Sequence, residues 1–286
     1  MEAQVPEFGR SDEELATLPI SLRDGLYKDK VVVVSGAGSG IGKAIAFWFA
    51  RLGAKLVICG RKLDRLEATA AALRKLGAEV LVQQATIRDP EQVEALFEAA
   101  WAHFGTVDIL VNNAGGQFPQ AAIDFSPKGW GAVIDTNLNG PWYMMQAAAK
   151  RWRDAGREGS IVNIVTVVWR GMPGTAHTCA ARAGVIYLCK TLAIEWAPLG
   201  IRVNCVAPGL IASEGLNVYS EEARRDMPGA NPMKHAGQVE DIADAVCYIA
   251  GPAGKFITGE VLVVDGGNQV WGDQWTIPRP DWFKPG

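Results

Sequence analysis

The sequence VVVVSGAGSGIG, residues 31–42, joins a run of β-branched residues directly to a glycine-rich turn. Four consecutive valines favour a strand that is buried on both of its faces. Gly36 permits a tight turn, Gly40 lets the backbone approach a phosphate, and Gly42 lets the following helix pack on the strand. Unpaired N–H groups at the start of that helix attract a pyrophosphate. The segment therefore predicts a dinucleotide site after the first strand, with a plain glycine turn as the alternative.

Short apolar runs alternate with amphipathic stretches along the rest of the chain. After residues 31–35, the apolar runs are 56–60, 80–84, 108–113, 161–165, 201–206 and 260–265. The stretches with helical periodicity are 41–52, 63–76, 90–104, 127–154, 176–198 and 239–250. Strands that alternate with helices favour right-handed crossovers and a parallel sheet. We therefore expect an α/β fold: a single Rossmann-type domain whose seven-stranded parallel sheet has helices on both faces.

The 286 residues divide into three predicted parts. Residues 1–28 mix charged residues, proline and glycine without clear periodicity and are expected to form an N-terminal arm. The domain itself follows at 29–270, and a C-terminal tail occupies 271–286. Within the domain, residues 211–237 interrupt the alternation with Ser, Asn, Glu, Arg and Pro. Irregular segments of this kind often cover binding sites, so we interpret 211–237 as a substrate lid.

Composition and charge argue against several classes of partner. The net charge of −3 gives no support for nucleic acid or an anionic membrane as a partner. The five cysteines are scattered and lack a CxxC pair, which argues against a disulfide framework or a metal site and favours a reducing compartment. The acidic N-terminus lacks the apolar core of a secretory signal, and no stretch is apolar for long enough to span a bilayer. We therefore expect a cytoplasmic protein.

The end of the second apolar run bears on the choice of cofactor. Gly60 is followed by Arg61 and Lys62. A site for NAD would have an acidic residue here to bind the ribose hydroxyls, whereas the 2′-phosphate of NADP requires cations. Arginine can bind a phosphate through two parallel hydrogen bonds. We therefore predict NADP(H) over NAD(H), the alternative being that Arg61 and Lys62 are solvated residues at a helix start.

From Lys30 to Asp265 the chain resembles the short-chain dehydrogenase/reductase family. The matching segments are Ser35–Gly42, Asn112–Gly115, Asn137 and Pro208–Gly209. Together with the glycine-rich turn and the second strand, the resemblance implies cofactor contacts from Gly36, Ser39, Gly40, Ile41, Gly42, Arg61, Lys62, Thr86, Ile87, Asn113, Ala114, Gly115, Arg182, Pro208, Gly209, Ile211 and Ser213. At Thr86 and Ile87 the family often has an acidic residue that binds adenine, so a single Thr hydroxyl replaces it here.

The catalytic segment departs from the family pattern. Most members have a Ser, then a Tyr, then a Lys four residues after the Tyr. Here Thr178 occupies the Tyr position, Arg182 occupies the Lys position, and the Ser position falls near Val165–Thr166. A Thr hydroxyl is a far weaker acid than a phenol, whose pKa is about 10, and a guanidinium keeps its proton. Carbonyl reduction, which needs a proton on oxygen, is therefore harder than a reaction that needs only hydrogen bonds to an oxygen.

One branch of the family reduces carbon–carbon double bonds. Four segments, 112–118, 126–130, 136–140 and 177–185, resemble the peroxisomal trans-2-enoyl-CoA reductases and, more loosely, the 2,4-dienoyl-CoA reductases. In these enzymes of lipid metabolism a hydride adds to a C=C bond conjugated to a thioester. The resemblance implies that Thr178 and Asn137 organise the thioester carbonyl and that Arg182 binds the cofactor. The expected substrate is therefore an acyl-CoA or another small hydrophobic molecule.

Two alternative functions remain open. Residues 170–174 and 176–178 also resemble bacterial citronellol dehydrogenases, which favours an alcohol or carbonyl dehydrogenase of a hydrophobic, terpenoid-like substrate. His177 or Tyr187 would then be the acid. His177 can also be interpreted as a strand-end histidine bonded to backbone, and Tyr187 as a core or interface residue. The second alternative, a nucleotide-binding protein without catalysis, follows from the missing Ser, Tyr and Lys.

The chain has ten tryptophans, and those of the C-terminal tail bear on whether it assembles into an oligomer. Trp271, Trp275 and Trp282 follow the last apolar run in a proline-rich segment. Large exposed aromatic residues usually mark an interface. Family members often assemble through the long helices and the last strand, so the resemblance implies a homo-oligomer, either a dimer or a homotetramer.

Overall fold

The computed structural model describes residues 9–272 and 276–283. The strands of this part of the chain are, in order, β1 (Val31–Ser35), β2 (Lys55–Gly60), β3 (Val80–Gln84), β4 (Ile109–Asn112), β5 (Gly159–Ile164), β6 (Ile201–Pro208), β7 (Ile211–Ala212), β8 (Gly237–Gln238) and β9 (Val261–Val264). Seven of them form a parallel sheet in the order β3-β2-β1-β4-β5-β6-β9. The predicted seven-stranded parallel sheet is confirmed.

Helices cover both faces of this sheet. In the described residues they are α1 (Asp12–Thr17), α2 (Gly40–Arg51), α3 (Leu63–Lys75), α4 (Pro90–Phe104), α5 (Pro127–Ile134), α6 (Gly140–Asp154), α7 (Ala176–Glu195), α8 (Glu221–Asp226) and α9 (Val239–Ala250). Apolar residues of α2, α3 and α9 form the core on one face, and those of α4, α6 and α7 form the core on the other.

The valines of β1 show why the strand is uniformly apolar. Val32 and Val34 pack in the core beneath α2, while Val31 and Val33 pack in the opposite core. All four are buried. A side chain of this size contributes roughly 1.5–3 kcal/mol when it is fully buried. Both faces of β1 therefore stabilise the fold, and the strand fixes the position of the turn that follows it.

The predicted helix 127–154 is wrong as a single element. A π-helical turn at Asp135–Asn139 separates α5 from α6. Pro141 supplies the physical reason, because proline has no N–H to donate to the carbonyl of Asn137 four residues earlier, and its ring clashes with that carbonyl. Single π-turns inside helices are frequent at functional sites.

The predicted arm contains one short helix, and its residues 1–8 lie outside the described part of the chain. Ser11 and Glu14 form a capping box at the start of α1, each side chain bonding the other residue's backbone N–H. Leu15 is buried, and Arg10 forms an ion pair with Glu240 at the start of α9 at 2.6 Å. This part of the arm is thus fastened to the domain.

The segment 211–237 begins and ends in a small two-stranded sheet. Ile211 of β7 pairs with Gly237 of β8, so the residues between them form a closed excursion that contains α8. The tail contacts it, because Trp282 donates a hydrogen bond from Nε1 to the Pro232 carbonyl at 3.0 Å. Trp275 of the tail lies outside the described residues. Across those that are described, helices long and apolar enough for a membrane span are absent.

Candidate active site

The carboxyl ends of β1 and β4 are joined by a network around Ser35. The Ser35 hydroxyl accepts hydrogen bonds from the backbone N–H groups of Asn113 at 3.1 Å and Ala114 at 3.0 Å. The Asn113 side chain donates in return to the Ser35 carbonyl at 3.0 Å. The sheet reverses its strand order between β1 and β4, and ligands of such sheets bind in the crevice at this point.

The glycine-rich turn is shaped by positions where a side chain cannot fit. Gly36 has φ +71°, and a methyl group there would lie 2.9 Å from Cα of Ala114. A methyl group on Gly42 would overlap the Gly36 carbonyl. Ser39 precedes α2 without capping it through its side chain, so the Ser39 hydroxyl does not occupy the first N–H groups of this helix. These features fit a pyrophosphate, which binds at helix N-termini.

Two further strand ends complete the crevice beside this turn. At β2, Arg61 and Lys62 are exposed after Gly60, and the Arg61 carbonyl accepts a hydrogen bond from Gln84 at 2.9 Å. After β3, the Thr86 N–H donates to the Gln92 side chain at 3.0 Å, which fixes the backbone of this segment. The cationic pair thus lies at the strand next to β1, where the second ribose of a bound dinucleotide is expected.

Ile87 and the end of β6 border the crevice from the other side. Ile87 is buried, and a methyl group on Gly140 would lie 2.7 Å from its Cδ1. Gly209 donates from its N–H to the Val264 carbonyl at 2.9 Å. Thr166, next to the expected Ser position, donates to the Pro208 carbonyl at 3.3 Å. The Thr166 hydroxyl, close to the family's Ser position, is therefore engaged with backbone.

Ile211 and Ser213 follow β6 in the chain and lie near the glycine-rich turn. Both are buried. A methyl group on Gly40 would be 3.7 Å from Cβ of Ser213. The segment after β6 therefore faces the start of α2, and the two enclose the space where the phosphates of a dinucleotide would lie.

Asn137 holds the loop after β4. Its side chain is buried in the π-turn, where Oδ1 accepts from the Gly116 N–H at 3.0 Å and Nδ2 donates to the Gly116 carbonyl at 2.9 Å. A side-chain amide can do both because it carries a donor and an acceptor. The π-turn thereby fixes the loop that follows Asn112–Gly115.

Arg182 is a buried cation directly beneath that loop. Its Nη1 lies 3.5 Å from the Asn137 carbonyl, and a methyl group on Gly115 would overlap Nη2. Burial lowers the pKa of Arg182 to about 10, and the Cys205 thiol, rather than any carboxylate of the described residues, offsets this in part. The guanidinium remains charged at neutral pH, and a buried charge without a counter-ion favours an anionic or strongly polar ligand.

Thr178 and His177 lie together in the first turn of α7. Both are buried; the Thr178 N–H donates to His177 Nδ1 at 2.7 Å, and the Thr178 hydroxyl lies 3.3 Å from the same nitrogen. The interpretation of His177 as a strand-end residue is wrong, because His177 is the second residue of α7, which runs without interruption from Ala176 to Glu195. Backbone bonding, the other part of that interpretation, is present.

The environment of His177 decides its protonation. Its ring stacks on Phe125 at 4.4 Å between centroids and meets Phe118 edge-on at 4.7 Å. Burial lowers the pKa of His177, and contacts with the backbone of Thr175 and Phe118 offset this in part. The imidazole is therefore neutral at pH 7, with Nδ1 as the acceptor, and is a poor proton donor there.

Tyr187 is not brought to this site. It lies on the exposed face of α7 with 68% of its surface accessible, whereas Arg182 on the same helix is buried. The Lys190 ammonium lies 5.1 Å from the centre of its ring. Five residues along a helix turn a side chain to nearly the opposite face, which agrees with this separation.

Two residues that sequence reasoning missed also meet at the site. Gln117, next to the clamped Gly116, donates from Nε2 to the hydroxyl of Tyr219. Tyr219 belongs to the segment 211–237, about a hundred residues further along the chain. No local pattern marks such a pair, although a Tyr inside a predicted lid is a signal that could have been considered.

Comparison with known proteins agrees with this geometry. A family model described as enoyl-(acyl carrier protein) reductase, adh_short_C2, matches residues 36–269, well over half of the chain. A probable 2,4-dienoyl-CoA reductase of Bacillus subtilis is 35% identical over 256 residues, covering 88% of this chain and 98% of that protein. A 3-oxoacyl-[acyl-carrier-protein] reductase FabG of Staphylococcus epidermidis is 36% identical over 242 residues, covering 84% and 98%.

A solved structure extends the likeness to three dimensions. The citronellol catabolism dehydrogenase AtuB of Pseudomonas aeruginosa superposes with a TM-score of 0.78 at 35% identity, covering 87% of this chain and 99% of that one. The glycine-rich turn, the loop after β4 and the end of β6 all lie within the matched region of the family model. On this sequence and structural evidence, the chain belongs to the short-chain dehydrogenase/reductase family of oxidoreductases.

Proposed function

We propose that the chain is an NADP(H)-dependent reductase of the C=C bond of an enoyl thioester or a related activated alkene. The observation that supports this most is the pair Thr178 and Arg182, both buried, at the positions of the family's Tyr and Lys. Neither side chain can deliver a proton to a carbonyl oxygen at neutral pH. Both can donate hydrogen bonds, which is what an enolate oxygen requires.

The family typically uses NAD(P)(H), and this chain has residues that fit the cofactor. The glycine-rich turn at Gly36–Gly42 would bind the pyrophosphate, and Arg182 would bind the nicotinamide ribose. Arg61 and Lys62, exposed at the end of β2, would bind the 2′-phosphate, which supports NADP(H) over NAD(H). When bound, the reduced dinucleotide supplies a hydride to the substrate.

The residues around the substrate oxygen would act as preorganised donors. Asn137 positions the loop at Gly116, and Thr178 places its hydroxyl at the start of α7. A well-placed donor at an oxyanion contributes roughly 3 kcal/mol to the stability of a transition state. The aromatic rings of Phe118 and Phe125 contact the ring of His177, which is the neighbour of Thr178 in the chain. These apolar rings suit an apolar acyl chain.

Carbonyl or alcohol oxidoreduction is the second candidate. The Thr178 hydroxyl lies 3.3 Å from His177 Nδ1, and this neutral nitrogen could accept a proton through Thr178 from an alcohol. The likeness to FabG, named as a 3-oxoacyl-[acyl-carrier-protein] reductase, and to AtuB, named as a citronellol catabolism dehydrogenase, also favours it. The name of the Bacillus subtilis relative, a dienoyl-CoA reductase, favours the first candidate.

One experiment separates the candidates. The nicotinamide absorbance of NADPH is followed with the purified chain and, in parallel, with trans-2-enoyl-CoA thioesters, 3-oxoacyl thioesters and citronellal. We expect oxidation of NADPH with the enoyl thioesters and none with the carbonyl substrates. Turnover of the carbonyl substrates alone would overturn the proposal in favour of the second candidate. NADPH binding by fluorescence without turnover of any substrate would instead indicate a nucleotide-binding protein without catalysis.

We also propose that the chain forms a homo-oligomer. Three large apolar side chains near the edge strand β9 are strongly exposed: Tyr187 and Ile194 on α7, and Phe256 in the turn before β9. A methyl group on Gly259 in the same turn would lie 3.3 Å from Cβ of Ala193, so this turn packs against α7, and Tyr187 lines a surface hollow together with Gly259 and Val261 of β9. Exposed apolar patches of this kind usually mark protein interfaces.

A further inference from the structure

The proposed function leaves the proton donor to the substrate carbon unassigned. All five tyrosines of the chain are among the described residues, so the source of a phenol can be found by elimination. The Tyr27 hydroxyl is bound to the Cys247 carbonyl in the core, Tyr143 is partly buried among apolar residues on α6, and Tyr187 and Tyr248 are exposed. Only Tyr219 has a hydroxyl bonded to the loop after β4.

The contact of Tyr219 leads directly to the site. Its hydroxyl accepts a hydrogen bond from the side chain of Gln117, and Gln117 follows Gly116 in the chain. Gly116 is held through both its N–H and its carbonyl by Asn137. Asn137 is in turn 3.5 Å from Arg182 through its own carbonyl. The segment 211–237 thus places a phenol on the same loop that the buried cation supports.

The direction of the Gln117 hydrogen bond leaves the phenol proton available. A phenol can donate one hydrogen bond and accept others, and here the oxygen accepts from the amide. This hydrogen bond stabilises the phenolate and lowers the pKa of Tyr219, while burial raises it by more, so the group is protonated at neutral pH. The Cys179 thiol raises the pKa further.

We propose that Tyr219 is the catalytic acid of this enzyme, supplied by the lid in place of the tyrosine that Thr178 replaces. The inference rests on the proposed reduction of an activated alkene. After hydride addition to the β-carbon, the substrate is an enolate. The Tyr219 O–H bond breaks, its proton forms the new C–H bond at the α-carbon with the electron pair of the enolate, and the phenolate takes a proton from water.

The test is Tyr219→Phe, which removes the hydroxyl and keeps the ring. We expect kcat with an enoyl thioester to fall about 100-fold, within the range that a positioned acid supplies, while the dissociation constant of NADPH stays within about twofold. Tyr248→Phe, a matched change at an exposed tyrosine on α9, should leave both values unchanged. Gln117→Ala should lower kcat by a smaller factor, because it removes the donor that polarises the phenol.

Two readouts distinguish an acid from a residue that only closes the lid. In deuterated water the wild-type enzyme should place deuterium at the α-carbon on one face, whereas Tyr219→Phe should give both stereoisomers, because water then protonates the enolate. An unchanged kcat, or an effect on KM alone with the stereochemistry preserved, would overturn the proposal.

The second readout does not require turnover. With ¹³C-labelled tyrosine, the resonance missing from Tyr219→Phe identifies Tyr219 among the five. We expect it to shift when NADP⁺ and a saturated acyl thioester are added together. If the wild-type protein turns over no enoyl thioester, the proposed function fails. If turnover occurs but this resonance does not respond to the ligands, the role of Tyr219 alone fails.

Discussion

Arg182 and Arg61, the two arginines assigned to the cofactor, differ in burial: Arg182 is buried and Arg61 is exposed. Arg182 is buried beneath Gly115, and its environment already lowers the pKa of the guanidinium. Arg61 is exposed beside the crevice and loses little solvation when it binds a ligand. Arg182 is therefore part of the framework of the site, while Arg61 can be replaced without disturbing the fold. For this reason Arg61 is the better position at which to test cofactor choice.

We expect Arg61→Asp to reverse the preference between the two dinucleotides. A hydrogen bond to a charged group contributes about 1.5–3 kcal/mol, so loss of the contact with the 2′-phosphate should weaken NADPH binding about 10- to 100-fold. The new carboxylate can accept from the ribose hydroxyls of NADH, whose affinity should be retained or improved. Fluorescence titration with both cofactors measures the change.

A matched charge reversal controls for electrostatics at a distance. Lys75 is exposed at the far end of α3, the helix that begins just after Lys62. Lys75→Asp changes the net charge by the same amount as Arg61→Asp and should leave NADPH affinity within about twofold. If Arg61→Asp leaves the affinity for NADPH unaltered, the assignment of the 2′-phosphate to this end of β2 is wrong.

At the scale of secondary-structure elements, the π-turn between α5 and α6 interrupts the regular helix and carries Asn137, which holds Gly116 at the site. Pro141 has no N–H for the Asn137 carbonyl, and the Arg182 guanidinium lies 3.5 Å from that oxygen. We expect Pro141→Ala to let the helix become regular and rotate the Asn137 side chain away from Gly116. Since displacement of a positioning group by about 1 Å can cost about 100-fold, kcat should fall by about 10- to 100-fold.

Pro90→Ala is the matched control for Pro141→Ala. Pro90 is the first residue of α4, where a missing N–H breaks no helical hydrogen bond, so both substitutions lose the restriction that proline places on the unfolded chain, about 0.4–1 kcal/mol, but only Pro141→Ala changes a helix interior. Pro90→Ala should therefore lower the melting temperature slightly and leave kcat unchanged. Equal effects of the two variants on kcat, measured beside thermal unfolding, would contradict a special role for the π-turn.

The same elements show how far the sequence reaches. The strand at Val31–Ser35 and the turn after it could be predicted from neighbouring residues alone. Four consecutive valines indicate a strand buried on both faces, and the glycines that follow indicate the turn. The break at Asp135–Asn139 follows from Gly140–Pro141, a signal that the strong periodicity of 127–154 concealed. The capping box at Ser11 and Glu14 was likewise present in the sequence. The contact of Tyr219 with Gln117 could not be predicted, since it depends on how the segment 211–237 packs in three dimensions.

At the scale of the whole molecule, the two edges of the sheet differ. β3 at one edge ends in the polar residues Gln83 and Gln84. β9 at the other edge, Val261–Val264, consists of three valines and one leucine, all only partly buried. Exposed apolar edge strands invite pairing with another chain, and natural proteins cover them. Beside β9 the exposed residues of α7 continue the same apolar face. A second copy of the chain is the simplest cover, because an isologous dimer buries the same patch twice.

We expect light scattering to give a mass at least twice the 30.7 kDa of one chain. Ile194 is 79% exposed on α7, and Ile194→Glu should lower that mass, because a carboxylate buried in a stable interface of about 800 Å² per partner would lose its solvation. Ile123→Glu is the control, since Ile123 is 93% exposed in the turn after the β4 loop, away from β9. A wild-type mass of one chain, or equal masses for both variants, would show that the β9 face does not bind a second copy; a lower mass for Ile194→Glu alone would locate the interface on α7.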